Sequence, residues 1–267
     1  NMTKIKAGDL VLFFYNDSKK WLLKISKKEQ FHSHIGIIKH ADAIGKEFGS
    51  RLITNKDKYV YLLKPTIHDH VMKMQHGTQI VYPKDLGYIA ARTGVQSGYK
   101  VVEIGTGSGS LTTFLASIVK PRGHVYTFDV EPKFMEIAEK NIKKAGMSKY
   151  VTMHNQNLKK SKKLPVDECD LAIIDLGDPW EVLPQVRKML KSSGSVVAIC
   201  PTMNQLEKLS AAFVENEFTD IESTEHILRR IEARDGKTRH SYQGIGHTTY
   251  LAMARKVYFN KKRSKKK

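Results

Sequence analysis

The chain has 267 residues, 40% hydrophobic and 27% charged. That is enough for one large core or two, and no apolar stretch approaches the roughly 20 residues needed to span a bilayer. NMTKIKAGD at the start lacks the apolar centre of a secretory signal, so a cytoplasmic place of work is expected. Net charge is +18, concentrated in KKSKK at 159–163 and in the stretch from Arg255 to Lys267, which holds eight cations and no acid; this makes nucleic acid the expected partner.

Residues 4–75 alternate short apolar runs with turn formers. DLVLFFY, WLLKI, SHIGIIKH and YVYLLKP are separated by KAGD, ND and TNKDK, the pattern of a small β-rich, barrel-like domain over residues 1–75. TIHDHVMKM predicts a short connecting helix from about residue 66. The pairs His32/His34 and His68/His70 have the spacing of metal ligands but no second pair beside them, so no metal is expected. Cys169 and Cys200 are too far apart for a finger-type zinc site and too few for a disulfide framework, and are read as small core residues.

From residue 94 strands alternate with helices. KVVEIG is a β-branched run, and SLTTFLASIVK spaces Leu111, Phe114, Leu115 and Ile118 for one helix face. Strand HVYTFDV, helix PKFMEIAEKNIKKAG, strand VTMHNQN, strand DLAIIDL, helix EVLPQVRKML, strand GSVVAIC and helix MNQLEKLSAAFVENE follow. The order predicts an α/β domain over 76–258 with a mostly parallel, doubly covered sheet. DIESTEHILRRIEA and TTYLAMARKVY read as strands paired antiparallel at its edge. The tail, 259–267, is low-complexity and basic, and is expected to be disordered without a partner.

EIGTGSGS joins the first strand of this region to its first helix, the context in which a glycine-rich loop carries meaning. The spacing is ExGxGxG (Glu103, Gly105, Gly107, Gly109) and not the dinucleotide GxGxxG, since Ser110 stands three residues after Gly107. Asp129 ends the second strand where a ribose-binding carboxylate belongs, and DLGDPW follows the fourth. Because ligands of open α/β sheets bind at the carboxyl ends of strands, Gly105, Asp129, Asn157 and Asp175 converge on one crevice. Asp178 and Pro179 read as the start of the next helix.

This set resembles the class I, Rossmann-like methyltransferases that use S-adenosyl-L-methionine, a family in which an antiparallel last strand is usual. HIGIIKHADAIGKEFGS, KPTIHDHVMKMQHGTQIVYPKD, EIGTGSGSLT, DLGDPWEVL and HSYQGIGHTTYLAMARK narrow the resemblance to the TrmI family. Its members are tRNA (adenine-N1)-methyltransferases acting on adenine 58 of the T-loop, some also on adenine 57, usually as homotetramers. The resemblance implies that the cofactor meets Val81, Glu103, Gly105, Ser108, Gly109 and Ser110, that Asp129 holds its ribose, and that Asn157 and Leu158 flank its adenine. It implies Asp175 at the reacting centre, accepting a hydrogen bond from the target's N6–H. Tyr82 and His247 are proposed to position the base; their plainer readings are a core tyrosine and a histidine capping the last strand. Trp180 is read as packing. Two departures are visible: Asn157 stands where the family commonly has an acid, and Gly177 where it commonly has proline, which makes Gly177 the expected arbiter of how firmly Asp175 is held.

Three rivals share parts of the pattern. A methyltransferase of another nucleic acid, or of protein, would make Asp178 of DPW the key acid. A nicotinamide-dependent oxidoreductase would use GTGSGS for pyrophosphate. A non-enzymatic RNA-binding subunit would be expected to lack the loop, Asp129 and Asp175, all of which are present.

Overall fold

Val11, Phe13, Val60 and Leu62 are fully buried, and around them is assembled the first of the two units into which the chain divides, Asn1–Met74 and Gln75–Lys267. The computed structural model describes residues 4–75, 80–242, 244 and 246–258; the expected tail at 259–267 and residues 76–79 of the HGTQIVY segment lie outside these. In the first unit β1 (Leu10–Asn16), β2 (Lys19–Lys24), β5 (Arg51–Ile53) and β6 (Tyr59–Leu63) form an antiparallel sheet in the order β2-β1-β6-β5, while β3 (Gln30–Ser33) and β4 (Gly36–Lys39) form a separate hairpin. The β-rich first unit thus holds two hydrogen-bonded ladders. Two short strands, β3 and β5, were not legible as separate runs. Helix α1 (Ile67–Lys73) starts where TIHDHVMKM predicts, because Thr66 and Asp69 form a reciprocal capping box.

The second unit carries the expected alternation. Helix α2 (Pro83–Thr93) leads to β7 (Lys100–Ile104), α3 (Ser110–Val119), β8 (His124–Asp129), α4 (Pro132–Lys144), β9 (Val151–Asn155), β10 (Cys169–Ile174), α5 (Leu183–Met189), β11 (Leu190–Cys200), α6 (Met203–Glu215) and β12 (Phe218–Glu225). A small hairpin, β13 (Ile231–Glu232) with β14 (Arg239–His240), precedes β15 (Tyr250–Lys256). The seven-stranded sheet runs β12-β15-β11-β10-β7-β8-β9. β15 is antiparallel to both neighbours, so the last strand lies inside the sheet and β12 takes the edge. This is the class I methyltransferase arrangement, preceded by a β-rich unit.

Burial follows from composition. Val101, Val102 and Ile104 of β7 and Leu171 to Ile174 of β10 are almost wholly out of water on both faces, as central parallel strands require. Cys169 and Cys200 are fully buried within the same core. Helix α3 departs from its expected face: Leu111, Leu115, Ala116 and Val119 are buried, whereas Phe114 and Ile118 are half-buried. The helix is turned so that Thr112 reaches Glu103 inside the core. Among the described residues no helix is long and apolar enough to cross a membrane.

Candidate active site

Winding reverses between β7 and β10. From β7 the chain proceeds through β8 to β9 on one side, then returns to β10 on the other, and the carboxyl edge of that pair is where a crevice opens. The neighbouring ends are pinned to each other: Asp175 donates its N–H to the Ile104 carbonyl at 2.8 Å, and Gly105 donates to the Phe128 carbonyl at 2.8 Å. Gly105 has φ +102°, and a Cβ there would stand 2.2 Å from the Asp175 carbonyl oxygen. Only glycine permits this approach.

The remainder of the loop is held by polar side chains behind it. Asp129 accepts the Gly107 N–H at 3.0 Å through Oδ2 and the Glu131 N–H at 3.0 Å through Oδ1. Thr106 and Thr127 hydroxyls meet at 2.6 Å. Asn141, on α4, donates to the carbonyls of Ser108 and Gln75, both at 2.9 Å. Sequence reasoning missed Asn141; its signal was a lone amide on the apolar face otherwise formed by Ala138 and Ile142.

Three carboxyl groups crowd this edge. Glu103 is completely buried; one oxygen accepts from Thr112 and Oε1 has no partner. Burial pushes it up to about 8, against the hydrogen bonds from Thr112 and Thr127, with Asp175 and Asp129 adding repulsion. It thus supports the loop from beneath and has no exposed surface to offer a ligand directly. Asp175 is half-buried and pushed up to about 6, first by burial and then by Asp129. Folded Glu103 keeps its proton up to about pH 8 while an unfolded chain releases it near 4.5, so its contribution to stability falls as pH rises through that window. The melting temperature of Glu103→Gln, relative to the parent, is therefore expected to climb by roughly 5 °C or more between pH 5 and 8.5. A pH-independent difference would show that Glu103 is not held protonated.

The two acids of DLGDPW separate cleanly. Asp178 pairs with Lys159 at 2.5 Å, and Glu181 pairs with the same ammonium at 2.9 Å; Lys159 holds the Asp178 carboxyl below the usual range. Lys159, the first residue of the basic cluster at 159–163, is thereby engaged. Asp175 has no side-chain hydrogen bond among the described residues and is the acid left available. A Cβ at Gly177 would meet nothing within 4 Å, and its carbonyl is fixed by Gln205 Nε2 at 2.7 Å. Trp180 packs against the core with the Lys208 ammonium 4.0 Å over its ring, as read.

Leu158 is buried in the core, so its side chain does not face the crevice. Asn157 is exposed and caps the following turn, accepting the Lys159 N–H at 3.0 Å. Val81 is buried, and Tyr82 is the half-buried N-cap of α2. His247 has both nitrogens engaged, Nδ1 with Glu225 Oε1 at 2.8 Å and Nε2 with the Pro201 carbonyl at 3.0 Å, and the Glu225 contact raises its pKa. Its geometry is that of a clasp between the ends of β12 and β11.

A second clasp was missed. Asp85, fully buried, meets Lys84 Nζ at 2.8 Å, His226 Nδ1 at 3.1 Å and the Thr248 hydroxyl at 3.4 Å. It joins the start of α2, which carries Tyr82, to the segments flanking His247 and the end of β12. An acid in the first turn of a helix reads locally as favourable dipole chemistry, so nothing in the sequence marked it as buried.

Comparison with known families agrees with this geometry. Residues 58–267 match the family described as tRNA methyltransferase complex GCD14 subunit. The TrmI protein of Methanocaldococcus jannaschii, named tRNA (adenine(57)-N(1)/adenine(58)-N(1))-methyltransferase, is 33% identical over 89% of this chain and 91% of its own. The chain belongs to the GCD14/TrmI family. Two solved structures cover 96% of it: tRNA (m1A58) methyltransferase TrmI from Aquifex aeolicus, matched over its whole length at 31% identity with TM-score 0.83, and a Thermotoga maritima protein described as a SAM-dependent O-methyltransferase, matched over 96% of that chain at 30% identity with TM-score 0.90. A fungal GCD14/TrmI relative, the catalytic subunit TRM61 of Cryptococcus neoformans, is 32% identical, and the chain spans 53% of its length.

Proposed function

We propose that this chain transfers a methyl group from S-adenosyl-L-methionine to N1 of adenine 58, with adenine 57 a second candidate, in the T-loop of tRNA. The observation that carries this reading is the electrostatics of the switch point. Asp129 repels Asp175 there, with Glu103 protonated beneath them, and the Gly107 N–H is already given to Asp129. A pyrophosphate would meet a carboxylate where a dinucleotide fold offers a free donor, which disfavours the nicotinamide alternative. A cationic ligand relieves the repulsion.

When bound, S-adenosyl-L-methionine supplies an electrophilic methyl group on a sulfonium. Val81, Gly105, Ser108, Gly109 and Ser110 are the groups we assign to hold it. Asp129, with acceptor capacity left beyond its two backbone bonds, takes the ribose hydroxyls, and Asn157 with the Leu158 backbone borders the adenine. Glu103 supports this set from below. Asp175, half-buried and with a carboxylate that has no hydrogen-bond partner among the described residues, is assigned to accept the N6–H of the target adenine; a carboxylate there stabilises the positive charge that N1-methylation spreads onto the exocyclic amine. Tyr82 is assigned to the base, with His247 and Asp85 fixing the segments around it.

The second unit is proposed as the transferase domain and the first as an auxiliary domain, in a cytoplasmic homotetramer of the TrmI type. The test is methylation of unmodified tRNA followed by reverse-transcription mapping and nucleoside analysis. We expect arrest at position 58 and 1-methyladenosine as product. A 2′-O-methylated nucleoside, or no arrest in the T-loop, would overturn the assignment.

A further inference from the structure

The segment that leaves β9 is docked against DLGDPW and the helix that follows it. Leu158, in the single turn Leu158–Lys160, is buried in one core with Val182, Leu183 and Val186. Next to it, Lys159 Nζ takes Asp178 and Glu181, and the Lys159 carbonyl accepts from Gln185 Nε2 at 3.4 Å. Gln185 lies in the first turn of α5. The two segments follow the carboxyl ends of β9 and β10, strands parallel to β8 and β7. They therefore meet on the edge of the sheet that carries Gly105, Asp129 and Asp175.

The acceptors of this junction are engaged one by one. Asn157 Oδ1 takes the Lys159 N–H at 3.0 Å, the Asn157 carbonyl takes the Ser161 hydroxyl at 2.9 Å, and the Leu158 carbonyl takes the Ser161 N–H at 3.2 Å. Gln185 Oε1 is the exception: it is buried and has no partner among the described residues, although a buried acceptor is normally satisfied. The orientation of that amide is set by its neighbour. A carbonyl can only accept, so Lys159 must face the Gln185 NH2, and the other end of the amide is held as an acceptor. Asn157 is its complement: with its oxygen used, the group left over is an NH2, which suits a ring nitrogen and not an amine.

We infer that Gln185 Oε1 accepts a hydrogen bond from the exocyclic amine of the cofactor's adenine, which makes Gln185 a residue that selects a 6-amino purine over a 6-oxo one. The inference rests on the cofactor assignment above, which puts Asn157 and the Leu158 backbone at that adenine. A 6-amino group brings two N–H donors, and the unsatisfied oxygen beside the Asn157–Lys159 turn matches one of them. A 6-oxo purine would set oxygen against oxygen. Gln185 cannot turn its amide over to meet it, because Oε1 would then oppose the Lys159 carbonyl. Discrimination is strong at such a site, since the wrong ligand leaves a buried polar group unpaired.

The test is calorimetric binding of S-adenosyl-L-homocysteine and of its 6-oxo analogue, S-inosyl-L-homocysteine, to the full chain and to Gln185→Met and Gln185→Glu, with melting temperatures in parallel. Methionine fills a similar space without either polar group, whereas glutamate keeps an acceptor and loses the donor to Lys159. The parent should prefer the adenosyl compound by on the order of 100-fold. That ratio should fall by roughly 10-fold in Gln185→Met, the loss of one hydrogen bond, and persist in Gln185→Glu, with melting temperatures near the parent value. Equal binding of the two probes by the parent, or an unchanged ratio in Gln185→Met, would overturn the inference and leave Gln185 a brace for the Lys159 turn. Loss of the ratio in Gln185→Glu as well would overturn it too, since the bond to Lys159 is what both variants lack. A parent chain that binds neither probe would instead bring down the cofactor assignment.

Discussion

Asp175→Ala is expected to slow single-turnover methylation of tRNA by about 10²- to 10⁴-fold, with cofactor binding largely retained. Among the described residues its carboxylate is the one acid at the switch point with neither a hydrogen bond nor an ion pair; Asp129 is tied to two backbone N–H groups, Glu103 to Thr112, and Asp178 to Lys159. A group without partners is free to act on a substrate. Because it must be ionised to accept the N6–H, kcat/KM for tRNA should rise with pH through a single ionisation near 6. A cationic ligand beside it favours the charged form, so the midpoint in kcat should lie below that in kcat/KM. Asp175→Asn keeps an acceptor oxygen but no charge, and should be intermediate in rate with this ionisation gone. Asp178→Ala should keep near-parent rates, since it loses a part-exposed ion pair worth about 1 kcal/mol or less. An Asp175→Ala enzyme that binds cofactor and reacts at the parent rate would remove the residue from the chemistry.

The backbone of this arrangement was legible because its signals are local. Strand and helix periodicity gave the parallel sheet, and the position of a glycine loop after the first strand gave the crevice. What escaped depends on partners far away in the chain. Asp85 finds His226 and Thr248, 141 and 163 residues on; His247 finds Pro201, 46 residues back. Periodicity assigned Phe114 and Ile118 to the inner face of α3, yet the helix turns Thr112 inward because buried Glu103 requires a donor. A hydrophobic pattern cannot see that exchange. The difference of Gly177 from the family's proline is visible in sequence, whereas the backbone bond from the Asp175 N–H to the Ile104 carbonyl is not.

Gly105→Ala is the second large effect. The added Cβ would sit 2.2 Å from the Asp175 carbonyl oxygen, in a backbone conformation at φ +102° that L residues avoid. Neither neighbour can yield without consequence, because the Asp175 N–H is held by Ile104 and the Gly105 N–H by Phe128. Backbone strain of about 1–3 kcal/mol and an overpacking cost of about 1–3 kcal/mol should together lower the melting temperature by roughly 5 to 15 °C. The only relief is to move β7 and β10 apart at their carboxyl ends, which separates the glycine loop from Asp175. Cofactor affinity by calorimetry should therefore fall together with stability, and methylation should fall further than affinity. Gly177→Ala is the matched control: φ there is outside the left-handed region and the Cβ meets nothing within 4 Å, so stability and rate should both stay near the parent values. Equal behaviour of the two alanine variants would mean that the junction of β7 and β10 is not what aims Asp175, and would return that role to the turn that contains Gly177.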